Sequence, residues 1–108
     1  MLRSIKSPQR LPRQLHVKLD GTGTSSIVIG SKDVTLTDNN TGDYTLTFVK
    51  PFARAPIVVA SSLTADAVIQ VSAATATACT LLVKDTAGVA LDADLMIIIQ
   101  GFDAADEY

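Results

Sequence analysis

The residues of this chain that could carry out chemistry are few and lie far apart. His16 is the single histidine and Cys79 is the single cysteine. Catalysis by a serine or cysteine nucleophile needs a base within hydrogen-bond reach, and His16 occupies the polar side of an alternating segment with no partner of that kind. We therefore interpret His16 as an exposed or interfacial strand residue and Cys79 as a small buried or interfacial one.

The segment DNNTGD at 38–43 is the one cluster rich in oxygen ligands. Asp and Asn side chains in such a loop could hold a hard cation. The same residues also suit a β-turn, because Asn and Asp tolerate left-handed backbone and Gly42 supplies a positive φ. We interpret this segment and the Leu91–Asp94 segment as turns, and expect neither a metal nor a cofactor. The protein is expected not to be an enzyme, although a small enzyme subunit stays an alternative.

Length and composition point to one all-β domain. The chain has 108 residues, of which 47% are hydrophobic and 19% charged, so it can bury a core but holds a single domain. Val, Ile and Thr are abundant, and such β-branched residues favour strands over helices. No apolar run reaches the ~20 residues of a membrane span, and we expect neither a secretory signal nor membrane association. One cysteine cannot form an internal disulfide, which fits folding in a reducing cytosol.

Short alternating segments recur along the chain with turn residues between them. The first begins at Leu15, where apolar and polar side chains alternate as far as Asp20. The further candidate strands are 25–30, 33–37, 43–49, 56–62, 67–73, 76–84 and 94–102. This spacing predicts an antiparallel β-sandwich of about seven to eight short strands, built from hairpins and Greek-key connections.

The N-terminal segment differs from the rest in charge and pattern. We divide the chain into an extended arm over 1–14 and a sandwich domain over 15–108, because Pro8 and Pro12 interrupt the arm and no period is present. Residues 1–18 hold five basic residues and no acid, whereas the rest holds four basic residues and eleven acids. We expect the arm to bind a capsid or a neighbouring subunit through Leu2, Arg3, Ile5, Lys6, Arg10, Leu11 and Arg13. A disordered solubilising tail is the alternative. An acidic body repels phosphates, so direct nucleic-acid binding is not expected.

The last candidate strand is apolar on both of its faces. A small domain cannot cover both faces of such a strand by itself, so its outer face is expected to meet another subunit. The predicted subunit interface comprises Leu95, Met96, Ile97, Ile98 and Ile99.

Three stretches of the chain resemble small β-sandwich proteins from the virions of tailed bacteriophages. These are GSKDVTLTDNNTGDYTLTFVKPFARAPIVVAS from Gly30, AVIQVSAATATACTLLVKD from Ala67 and ADLMIIIQGFDAADEY from Ala93. The pattern, a strand ending in Phe followed by a second Phe and a Pro-led strand, is also similar to H-type lectin domains and trimeric fibre tips. Lectins of that type grip sugars with aromatic residues, and Trp is absent here.

The resemblance implies a trimeric virion structural protein. We expect a capsid decoration or cement protein that is assembled in the host cytoplasm and located on the capsid surface, with the major capsid protein or another virion protein as its partner. About 14 residues before the first strand are too few for a fibre shaft but can reach across neighbouring subunits. The alternative is a tail-fibre or head-fibre tip that binds a receptor or glycan.

Overall fold

The computed structural model describes residues 12–103, which form eight β-strands and no helix. The strands are β1 (Arg13–Asp20), β2 (Ser26–Ile29), β3 (Val34–Asn40), β4 (Asp43–Phe48), β5 (Ile57–Ser62), β6 (Val68–Ala74), β7 (Ala78–Lys84) and β8 (Leu95–Gly101). Accordingly, the described part of the chain holds no helix of the length and hydropathy that crossing a membrane requires.

Two four-stranded antiparallel sheets make up the domain, which confirms the predicted all-β fold. The first sheet has the strand order β2-β1-β8-β5, and the second has the order β3-β4-β7-β6. Residues that alternate along each strand put one set of side chains between the sheets and the other set outside. In β4, for example, Tyr44, Leu46 and Phe48 are buried while Thr47 is exposed, as the alternation in this segment predicts.

The core lies between the two inner faces. Its buried side chains are apolar except for the hydroxyl of Tyr44 and the thiol of Cys79. Its buried side chains are Leu15, Val17, Leu19, Val34, Tyr44, Leu46, Phe48, Phe52, Cys79, Leu81, Val83, Ala93, Leu95, Ile97 and Ile99. Phe48 and Phe52 meet edge to face, with ring centroids 5.1 Å apart, a favourable geometry for aromatic pairs. Gly101 lies against this pair, and a Cβ there would be 2.7 Å from the Phe52 ring.

Two of the differences between the predicted and observed strand boundaries change how a segment is interpreted. β1 begins at Arg13, so Arg13 and Gln14 belong to the sandwich rather than to the arm. β3 continues to Asn40, so most of the 38–43 segment is strand and the turn shrinks to Thr41 and Gly42. Gly42 has a φ of 65° and a Cβ there would lie 2.3 Å from the Val83 carbonyl oxygen, so this tight turn depends on glycine.

Candidate association surface

The outer face of the first sheet is apolar and exposed. Five of the exposed large side chains on β2, β5 and β8 lie in register on the outer side of this sheet, and we call this surface the apolar face. Its members are Ile29, Ile57, Val59, Met96 and Ile98. The exposed fractions of Ile57, Val59 and Ile98 are 70%, 61% and 49%. Folding of the single chain therefore leaves these side chains largely in water.

Strand register arranges the apolar face in three rows. The middle row crosses the sheet as Val59, Ile98 and His16. The row on one side of it runs through Ser61, Met96, Lys18 and Ile29, and the row on the other side runs through Ile57, Gln100 and Gln14. These rows contain no carboxylate.

Polar groups lie at the margin of the apolar face. The amides of Gln14 and Gln100 are hydrogen bonded to each other at 3.1 Å between Nε2 and Oε1. Between the rows, a shallow groove of about 370 Å³ runs past His16, Val59 and Met96. An apolar centre with a polar margin is the usual composition of a protein interface.

The outer face of the second sheet is built mainly from threonines. Thr35 lies opposite Thr47 and Thr37 lies opposite Thr45 in the β3–β4 pair. Thr45 also pairs with Thr80 of β7, where the two hydroxyl oxygens are 3.2 Å apart. Val68 and Leu82 add apolar groups toward β6, but the centre of this surface on β3 and β4 is polar.

The predicted interface in β8 divides between the two faces of the strand. Leu95, Ile97 and Ile99 are buried in the core, which corrects the expectation that all five residues could meet a second chain. Met96 and Ile98 lie on the apolar face. Sequence reasoning missed Ile29, Ile57 and Val59, although the alternation of 57–62 carried the signal for the last two.

Arg13 is bound within the sandwich rather than extended from it. Its Nε donates to Asp103 Oδ1 at 2.8 Å, and an Nη donates to the carbonyl oxygen of Lys50 at 2.8 Å. The guanidinium carbon lies 4.0 Å from the centroid of the Phe52 ring, a cation–π contact. Because Arg13 makes these contacts within the sandwich, it holds β1 in place instead of acting as part of the predicted arm. The other predicted arm residues, Leu2, Arg3, Ile5, Lys6, Arg10 and Leu11, lie outside the described residues.

Arg13 and its partners form a small ion-pair network. Lys50 Nζ lies 3.2 Å from the second oxygen of Asp103. Partial burial disfavours the charged Asp103 carboxylate, but hydrogen bonds from Arg13 and Lys50 outweigh it and hold the pKa of Asp103 below its ordinary value.

Charge is segregated between the two ends of the sandwich. Because consecutive strands are antiparallel, all odd-numbered strands end at one end of the domain and begin at the other. The first of these, which we call the acidic end, carries Asp20, Asp38, Asp43, Asp66, Asp85, Asp92, Asp94 and Lys84. The opposite or basic end carries Arg13, Lys32, Lys50, Arg54, Asp33 and Asp103. The N-terminal segment joins the domain at the basic end.

The aspartates of the acidic end have structural partners in the loops. Asp92 accepts hydrogen bonds from the Tyr44 hydroxyl at 3.0 Å and from the Gly42 amide at 2.9 Å. Burial, reinforced by the hydrogen bond with Asp92, raises the pKa of Tyr44 well above its ordinary value. Asp85 accepts from the amides of Ala87 and Val89. Within residues 12–103, no group of three or more His, Cys, Asp or Glu side chains has an arrangement that could hold a metal ion.

The single histidine and the single cysteine lie in different sheets. His16 is exposed on the apolar face. Cys79 is buried in β7 on the inner face of the second sheet, and burial raises the pKa of its thiol to about 11. A thiol with that pKa is almost entirely protonated at neutral pH and is a poor nucleophile.

The sequence and the structure were each compared with known proteins. No protein-family model matches the chain, no curated protein matches it, and no solved structure matches it.

Proposed function

We propose that this protein is a structural component of a tailed-bacteriophage virion, a capsid decoration or cement protein that associates with copies of itself and with the capsid. The observation that carries the proposal is the apolar face. A sandwich needs one apolar face on each sheet to form its core, and the first sheet has two. Exposed apolar patches with a polar margin are typical of surfaces that bind other proteins.

A second copy of this chain is the occupant that we assign to the apolar face. Four strands about 4.8 Å apart and six residues at about 3.3 Å each give a face of roughly 400 Å². A stable interface buries about 800 Å² on each partner. The apolar face is therefore about half the required size, so a stable assembly must also bury surface next to this face. The trimer is the assembly that the resemblance to phage virion proteins implies.

The basic end is the part of the domain that we assign to the capsid. The N-terminal segment enters the sandwich there, next to the network of Arg13, Lys50 and Asp103. Arg3, Lys6 and Arg10 precede this point in the sequence. An acidic partner surface attracts both the segment and the end of the domain that carries it, while the acidic end faces away.

Binding to virus particles stripped of this protein tests the proposal. The variant carries Arg3→Gln, Lys6→Gln and Arg10→Gln in the full-length chain, and Arg13 is retained because it holds β1. We expect it to lose at least tenfold in affinity in a co-sedimentation assay and to respond less to added salt, because charge contacts are screened over about 10 Å at 0.1 M salt.

Lys84→Gln is the matched control for a change of charge, since Lys84 is exposed at the acidic end and lies neither on the apolar face nor at the basic end. It is expected to bind stripped particles as the wild type does, provided that both are compared in the same oligomeric state. Equal binding by the triple variant and the wild type contradicts the assignment of the N-terminal segment to the capsid.

A further inference from the structure

His16 is the one residue in the middle row of the apolar face that can change its charge near neutral pH. It pairs in register with Ile98 of β8, and Ile98 in turn pairs with Val59 of β5. The groove on this face is lined by His16, Ile29 and Met96 among others. A contact that covers the apolar face therefore also covers the imidazole.

We propose that His16 makes the self-association of this protein dependent on pH, with the apolar faces joined when the imidazole is neutral and separated when it is protonated. This inference rests on the proposed association through the apolar face. It adds a regulatory property of that surface, because a structural protein of this design would assemble near neutral pH and loosen in an acidic compartment.

The groups around His16 offer no negative charge to a protonated imidazole. On β1 itself the neighbouring outward side chains are Gln14 and Lys18. β8 contributes Met96, Ile98 and Gln100, β5 contributes Ile57, Val59 and Ser61, and β2 contributes Ile29. Lys18 is therefore the charged group next to His16 on this face, and it repels an imidazolium ion, whereas Asp20, the outward carboxylate of β1, lies four residues from His16 at the acidic end of the strand.

The sign of the effect follows from desolvation. Burying a charge without a partner costs far more than burying a neutral polar group. An opposing apolar face from a second copy supplies no carboxylate, since the three rows contain none. Histidine side chains ordinarily gain their proton between pH 8 and pH 5. Association is consequently strong where the imidazole is neutral and weakens as the pH falls and the imidazole gains a proton.

The chain contains one histidine, so a change between pH 7.5 and pH 5.0 can be assigned with a single substitution. Sedimentation equilibrium at both pH values and at equal ionic strength is the measurement, on the full-length wild type and on His16→Gln. We expect the dissociation constant of the wild type to rise at least tenfold at pH 5.0. His16→Gln, which keeps a neutral polar group, is expected to have the same dissociation constant at both pH values.

Thr35→His provides a matched control on the other outer face, because Thr35 is exposed on β3. In the His16→Gln background, this variant is expected to associate equally at both pH values. If the wild type associates equally at both pH values, or if His16→Gln weakens as much as the wild type does, the proposal for His16 is overturned while the association itself stands. A wild type that is monomeric at pH 7.5 overturns the association and this inference together.

Discussion

The two sheets of this sandwich have inner faces of the same kind and outer faces of different kinds. Inside, both sheets contribute buried aliphatic and aromatic residues to one core. Outside, the second sheet carries rows of threonines, whereas the first carries Ile57, Val59, Met96 and Ile98. The inner faces are explained by folding alone. Folding alone does not explain the difference between the outer faces, because outward positions of a strand need only residues that favour extended backbone.

Threonine shows how a strand can be stable without an apolar outer face. Its β-branched side chain suits the pleated backbone, and its hydroxyl can bond across strands, as between Thr45 and Thr80. Isoleucine and valine satisfy the same backbone preference but leave an apolar surface in water. Since the second sheet uses the polar solution, the apolar residues of the first sheet indicate a second role, which we assign to association.

The largest effect is expected where an inner face is compared with the outer face of the same strand. Phe48 is 3% exposed and packs edge to face on Phe52, so Phe48→Ala is expected to cost about 3–5 kcal/mol of unfolding free energy. Its neighbour Thr47 points outward, and Thr47→Ala should cost well under ~1 kcal/mol. Urea unfolding of the two variants measures both values. Similar losses for the two would mean that the faces of β4 are reversed.

A smaller effect distinguishes two basic residues of β1. Arg13 donates to the carbonyl oxygens of Lys50 and Pro51 and stacks on Phe52, so Arg13→Ala is expected to lower the unfolding free energy by about 1–2 kcal/mol. Lys18 has no ion pair among the described residues, and Lys18→Ala should stay within ~0.5 kcal/mol of the wild type. Both are measured by urea unfolding at one low protein concentration, because association itself adds apparent stability.

The pH dependence of Arg13→Ala gives an independent check. The folded-state pKa of Asp103 is lowered by its hydrogen bonds with Arg13 and Lys50. Its contribution to stability is therefore complete above the ordinary pKa of an aspartate and is lost as the pH falls toward the lower folded value. Without Arg13 the pKa of Asp103 moves back toward its ordinary value, so the variant should lose less stability than the wild type below about pH 4. An identical acid profile for both proteins would show that Arg13 does not act on Asp103.

The fold could be predicted from the sequence because its strands alternate and its turns are marked by Gly, Asn and Asp. The expected segments 43–49, 56–62 and 94–102 contain β4, β5 and β8 within one residue at either boundary. Local pattern is enough for this, since strand residues and turn residues differ in type.

The candidate surface was harder to predict, for two physical reasons. A strand that is apolar on both faces, such as β8, does not reveal which set of side chains enters the core; pairing with β1 and β5 decides that Ile97 is inside and Ile98 outside. Arg13 belongs to β1 because of partners distant in sequence, Phe52 and Asp103. The residues next to Arg13 in the sequence, such as Pro12, do not indicate either contact.

The central claim is that the apolar face, and not the threonine face, joins copies of this protein. Light scattering on the full-length chain at pH 7.5 and at tens of micromolar tests it most directly, with Ile98→Asp compared against Thr47→Asp. Both residues are exposed on outer faces, so neither change should prevent folding, which circular dichroism verifies. For the wild type and Thr47→Asp we expect a mass near three times the 11.4 kDa of one chain. For Ile98→Asp we expect a monomer, because association would bury an unpaired carboxylate. A monomeric wild type, or an Ile98→Asp variant with the same mass as the wild type, contradicts the claim.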